Sequence, residues 1–446
     1  VSISYRIVTI AATLGIAALT VLSPAAAGSS PDVLPAPKPL GEIADAVLPV
    51  IAGVNDLPVD QLRRMARGHH FEVDRQGTIR SVEAPLAATG EASTLEVPAG
   101  VDVFALHSRP TSTRTIYLDF DGHSVQDTLW LDGAKIDAPA YDTDGDPTTF
   151  SAAERQAVYE VFQATAEDYR PFDVDVTTQT PPLDRITRTG TKDLEFGTRV
   201  VITPKDVTGC GCGGQAYVGV FDKKTKHESY QPAWVVARAG ANGKVLSDAV
   251  SHEAGHNLGL DHDGESGGVG YHAGHENWAP IMGVGYGQPV TQWSKGEYAN
   301  ANNVQDDIKV MSGKGAPLLA DDYTATAALA KGTPLNGIVN SDADTDTFSI
   351  DHAGGALTAA AVPALFAPNL DIRLTVRNAA GTVVATVDPP VARVSNVAAT
   401  GLDARYTADL SAGRYTFQVE GVGYGDPSTN GYTGYGSVGQ YTLTVS

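Results

Sequence analysis

The sequence predicts an α/β (α+β) domain, with a mixed sheet packed around a metal-binding helix, followed by an all-β sandwich. The first sign is a strand that gives way to a capped helix between residues 113 and 170. The second is a histidine-bearing helix near position 252, and the third is a run of alternating apolar residues after position 370.

In the first part, Ile116, Leu118 and Phe120 alternate with Tyr117, Asp119 and Asp121, which predicts a half-buried strand ending at Gly122. Ser151 and Glu154 have the spacing of a capping box, and Val158, Val161, Phe162, Thr165 and Tyr169 then share one helical face until Pro171. Phe172 to Thr178, Thr198 to Thr203, Ala216 to Phe221 and Trp234 to Ala237 read as further strands. Ser294 to Met311 reads as a closing helix, and Gly313 to Pro317 as the start of a linker.

The chemistry is concentrated in His252-Glu253-Ala254-Gly255-His256-Asn257-Leu258-Gly259-Leu260-Asp261-His262. On a helix that begins between Lys244 and Ser247, His252 and His256 project from one face a turn apart and can share an ion. A third ligand must come from another direction. Gly259 can end the helix in the left-handed conformation and carry His262 to that corner. Three protein ligands leave the fourth position of a tetrahedral zinc open for water, and Glu253 stands beside it as candidate general base.

Composition sets the context. With 446 residues the chain has room for two or three domains, and a net charge of −21 disfavours nucleic acid or an anionic membrane as partner. Arg6, the apolar run from Ile7 to Leu22 and Ala25-Ala26-Ala27 read as a signal peptide over residues 1–27, so a secreted protein without stable membrane insertion is expected. Oligomeric state leaves no trace in the sequence.

Residues 28–110 have weak periodicity, with one short helix expected from Pro58 to Arg67, and read as a propeptide or N-terminal region. They contain no cysteine, so a latent zinc would have to be covered by a carboxylate, a histidine or bulk. Domain limits of 111–313, a linker at 314–320 and a sandwich at 321–446 follow. Cys210 and Cys212, among glycines in an exported chain, are a candidate disulfide. Asp142, Asp144 and Asp146, and likewise Asp342, Asp344 and Asp346, alternate in turns as candidate calcium ligands. Leu370 to Arg377, Val383 to Val387, Tyr415 to Val419 and Tyr441 to Val445 supply the sandwich strands.

The histidine stretch, with Met282 following in Ala279-Pro280-Ile281-Met282-Gly283, resembles the metzincin clan of zinc endopeptidases. Asp263 directly after the third histidine resembles the adamalysin-like (reprolysin-like) branch, whose many cysteines are missing here. The resemblance implies a zymogen acting on protein or peptide substrates, a methionine turn beneath the zinc, and an edge strand from Ala216 to Phe221 that pairs with extended substrate. Astacin-like and serralysin-like enzymes carry a tyrosine two residues after the methionine, where this chain has Val284, with Tyr286 two places on. The C-terminal part resembles the pre-peptidase C-terminal domain of bacterial secreted peptidases. The competing expectation is an exported binding or adhesion protein with an inactive metalloprotease-like domain. A third ligand at Glu276, in the thermolysin-like manner, is made unnecessary by Gly259 and His262.

Overall fold

The computed structural model describes residues 32–446, apart from 69, 87–90, 92, 239 and 269. The expected signal peptide therefore lies outside the described residues. Among the described residues, no helix is long and apolar enough to cross a membrane.

Residues 32–86 form a small folded unit. Helices Leu48–Asn55 and Val59–Met65 pack on an antiparallel sheet of Lys38–Pro39, Phe71–Val73 and Ile79–Ser81. Leu40, Leu48, Ile51, Leu62, Phe71, Val73 and Ile79 are buried in its core, which also takes in Val218 from the following domain. Asn55 stitches the unit together, donating to the carbonyls of Ile51 and Gly77 and accepting from the Ile79 amide. Such short elements carry too few turns of pattern for periodicity to register, so only the helix after Pro58 was legible.

The next domain is a five-stranded sheet ordered Asp175–Thr177, Arg114–Asp119, Phe196–Thr203, Ala233–Val236, Gly214–Gln215. The first four strands are parallel, and Gly214–Gln215 closes the edge antiparallel. Arg114–Asp119 lies in the interior, so its whole length from Thr115 is buried rather than half-buried as its alternation suggested. Helix Ala152–Asp168 starts on the expected capping box, with Ser151 accepting from the Glu154 amide and Glu154 reaching back to the Ser151 amide.

Two expected elements are absent. Ala216 to Phe221 leaves the sheet after Gln215, because Gly219 turns at φ +69° and the Gly219 and Phe221 amides bond the carbonyls of His256 and Asn257. Ser294 to Met311 is helical only from Asp307, where Asp306 caps the helix Asp307–Gly313; positive φ at Gly296 and Asn300 breaks the preceding stretch. The proposed linker is packed: Ala316 is buried, and Pro317 accepts from the Asp173 amide.

The C-terminal domain is a sandwich of two main sheets. One runs Ala327–Ala328, Thr345–His352, Gly413–Gly421, Ile372–Asn378, Val383–Val387; the other runs Leu335–Val339, Gly439–Val445, Gly355–Pro363, Ala404–Leu410. Phe348, Leu374, Phe417, Tyr441 and Leu443 fill the space between them.

This sandwich docks on the domain of the five-stranded sheet through buried polar groups. Asp168 accepts from Ser251 at 2.5 Å and from Asn369 at 2.9 Å, and its carbonyl takes the Trp293 indole. Glu167 accepts from the Gln440 amide at 3.1 Å. Burial pushes the Glu167 carboxyl up to about 8. The folded state therefore binds a proton there that the unfolded chain, with a Glu near 4.3, releases earlier, so stability from this group is full at low pH and declines as pH rises through that window. Thermal melts of Glu167→Gln and wild type should coincide at about pH 3.5, below both pKa values, and the variant should be the more stable at about pH 8.5; equal melting temperatures at both pH values would contradict the assignment.

Candidate metal centre and catalytic site

The helix Gly243–Asn257 presents the first two histidines, and every one of its residues is buried. Asn242 caps it by accepting from the Val245 amide, and Ser251 is tied to Asp168. The helix thus begins one residue before the expected span. At its far end Gly259 adopts φ +94°, and the Leu260 amide bonds back to the Gly255 carbonyl. That reversal brings His262 round to face His252 and His256, as the glycine spacing predicts.

The three rings converge. His256 Nε2 and His262 Nε2 are 3.0 Å apart, and the ring centroids of His252 lie 4.7 Å and 5.2 Å from those of His256 and His262. Nδ1 of His252 meets the Ile281 carbonyl at 2.9 Å, and Nδ1 of His256 meets the Leu260 carbonyl at 2.8 Å. Since a carbonyl only accepts, each Nδ1 carries the proton and each Nε2 keeps its lone pair for the interior. Burial pushes the His256 and His262 imidazoles down, His262 to about 3, which favours the neutral form a metal needs.

A fourth group completes the cluster: Glu83, from the N-terminal unit. Its carboxylate lies 2.9 Å from His262 Nε2, 3.3 Å from His256 Nε2 and 3.4 Å from His252 Nε2. With zinc–nitrogen bonds of about 2.0–2.1 Å, the edges of a ligand tetrahedron are roughly 3.3 Å, so this set fits zinc. His252 Nε2 is buried without a hydrogen-bond partner, which suits a lone pair aimed at a cation. Donors of three imidazoles and one carboxylate are also those zinc prefers.

Glu253 is buried beside the cluster and accepts from Ser81 at 3.1 Å. Burial, and after it the Glu83 carboxylate, push its carboxyl well above the usual range. It lies over the edge strand at Gly214, where a Cβ would stand 2.0 Å from Glu253 Oε1; only glycine lets the strand pass so close. Met282 is fully buried against the histidine-bearing helix, with its sulfur 2.8 Å from where a Cβ on Gly255 would be. Its carbonyl takes the Asp263 amide, while the neighbouring Ile281 carbonyl orients His252.

Two groups of this site escaped sequence reading. Glu83 has no motif around it, although the β-prone Ile79-Arg80-Ser81-Val82 before it is a faint sign of an extended segment. Tyr271 donates its hydroxyl to Glu83 Oε2, with its ring 4.6 Å from that of His262. Its place is fixed by the next residue: the His272 amide bonds the Asp263 carbonyl, and the His272 carbonyl takes the Val284 amide. Tyr286 packs at the rim of the main core. Glu276 stands outside the metal cluster, and its carbonyl is held by Arg393.

Cys210 and Cys212 are disulfide-linked just before the edge strand. The acidic triplets are not brought together as expected. Asp142 and Asp144 group with Glu154, while Asp146 turns to Thr148 and Thr149. Asp346 groups with Asp321 and Asp322, whereas Asp342 is exposed toward Lys295 and Asp344 accepts from the Asn340 amide. In the first turn the alternation is spent on backbone amides within the loop, a common use of aspartate, whereas Asp346 of the second accepts from the Tyr441 hydroxyl.

Among solved structures, similar folds include the pre-peptidase C-terminal domain of a Bacillus anthracis collagenase, at 12% identity and TM-score 0.20, covering 28% of this chain and 100% of that one. Another is the periplasmic inhibitor of g-type lysozyme PliG from Aeromonas hydrophila, at 15% identity and TM-score 0.19, covering 27% of this chain and 95% of that one. No curated protein matches the chain. Residues 148–263, which carry the three histidines and Glu253, match the family described as Metallo-peptidase family M12B Reprolysin-like, and this supports a metalloprotease.

Proposed function

We propose that the chain is the precursor of a secreted zinc-dependent endopeptidase. The observation that carries this reading is the convergence of three Nε2 atoms at a buried point, with Glu253 beside it and the sheet edge at Gly213 to Ala216 alongside. Secretion rests on the signal-like residues 1–27.

Zinc held by His252, His256 and His262 would supply a Lewis acid for the scissile carbonyl and lower the pKa of a water from ~16 to about 7. The edge at Gly213 to Ala216 binds an extended peptide by main-chain hydrogen bonds and sets its direction. Glu253 takes the water proton and delivers it to the leaving amine. Tyr271, fixed through His272, donates its hydroxyl to the substrate oxygen that replaces the Glu83 carboxylate and gains charge in the transition state.

Metal analysis should find one tightly held zinc per chain, and His256→Ala should lose it. Glu253→Gln should keep the zinc while peptide cleavage falls by several orders of magnitude; retained cleavage would remove Glu253 from the mechanism. In the processed enzyme Tyr271→Phe should lower kcat about a hundredfold with little change in KM. A rise in KM alone would make Tyr271 a binding group instead.

A further inference from the structure

The segment Ile79 to Glu83 runs antiparallel along the sheet edge. The Val218 amide donates to the Ile79 carbonyl at 3.0 Å, the Ser81 amide to Ala216 at 2.8 Å and the Glu83 amide to Gly214 at 3.0 Å. The Gly213 amide returns a bond to the Glu83 carbonyl, and Arg80 faces Tyr217 in an antiparallel bridge. This is strand addition of the kind by which a peptide occupies a sheet edge, made here by the chain itself.

The same segment engages the reactive groups one by one. Ser81 Oγ bonds both the Ala216 amide and the Glu253 carboxylate. Glu83 faces all three metal-binding nitrogens and is clamped by Tyr271. Phe71 stacks on the His262 ring at 4.5 Å, and Gln61 holds Asp261 next to that histidine. A water and a substrate carbonyl would need the space that this carboxylate fills.

We propose that Glu83 is the fourth zinc ligand of the full chain, and that residues 79–83 lie in the cleft as a built-in substrate mimic that keeps the enzyme latent. The proposal rests on the zinc-peptidase reading of the site and adds the residue and the segment that shut it. It makes latency independent of thiol chemistry, since release requires only that this strand leave the edge. The N-terminal unit, with its own core and Val218 inserted in it, supplies the hold that keeps the strand there.

The test uses the full chain, loaded with zinc or with cobalt as spectroscopic substitute, in wild type, Glu83→Ala and the near-isosteric Glu83→Gln. Glu42→Gln, exposed on the same unit and away from both the cluster and the strand, is the control. Exchange of the carboxylate for solvent should change the cobalt absorption bands. A chelator should strip zinc at least about tenfold faster, since loss of a partner one layer further out already costs that much. Cleavage of a fluorogenic peptide should rise about tenfold or more by the same measure of a weakened plug. Unchanged spectra and extraction rates in both variants would overturn the ligand assignment, and unchanged cleavage would overturn the mimic. A wild-type chain that takes up neither metal would instead sink the zinc reading itself.

Discussion

The structure depends on holding three imidazoles with their inner nitrogens close together inside the protein. His256 and His262 bring two Nε2 atoms to 3.0 Å, a separation at which two lone pairs repel unless a proton or a cation lies between them. Much of the surrounding fold serves to resist that repulsion. The Ile281 and Leu260 carbonyls pin the outer nitrogens, and both carbonyls come from segments whose course is fixed by other contacts. The first belongs to the turn that buries Met282, the second to the chain reversal at Gly259.

Glycine sets how closely these segments approach. Gly255 lets the Met282 sulfur sit against the metal-binding helix, and Gly214 lets the edge strand pass over Glu253. Gly259 does something different, since its φ of +94° is a conformation that a side chain would strain. The three positions thus place, respectively, Met282 against the histidine helix, the edge strand beside Glu253 and His262 beside the other two histidines. Asp168 extends the network outward by joining Ser251 on that helix to Asn369 of the sandwich, so the C-terminal domain abuts the active helix through buried hydrogen bonds.

What could be read from the sequence was whatever repeats or follows fixed offsets. The helix from Ala152, its capping box, the histidine helix and the sandwich strands all have enough turns or alternations to stand out. The stretch Ala216 to Phe221 has strand composition, yet Ala216 to Val218 pairs with the N-terminal segment and the Gly219 and Phe221 amides turn to the carbonyls of His256 and Asn257, a choice made by tertiary contacts. The alternating aspartates do not stay together as triplets: Asp142 and Asp144 group with Glu154, and Asp346 with Asp321 and Asp322, so sequence spacing alone did not select the partners. Glu83 was invisible because its role arises from a partner about 170 residues away, and no local pattern encodes that distance.

Charge explains why such a plug suits a doubly charged ion. Glu83 and Glu253 lie together in a fully buried site, and two carboxylates so placed repel each other strongly in a medium of low dielectric. A dication among the histidines offsets both, and Tyr271 and Ser81 satisfy the remaining lone pairs by donating one hydrogen bond to each. Withdrawing the N-terminal strand removes one negative charge and the serine bond together. On the proposed reading, Glu253 then stands as the one carboxylate beside the three histidines, without the Ser81 hydrogen bond that ties it to the strand. On that reading one strand both fills the histidine cluster and holds the candidate base, and both contacts end together when it leaves the sheet edge.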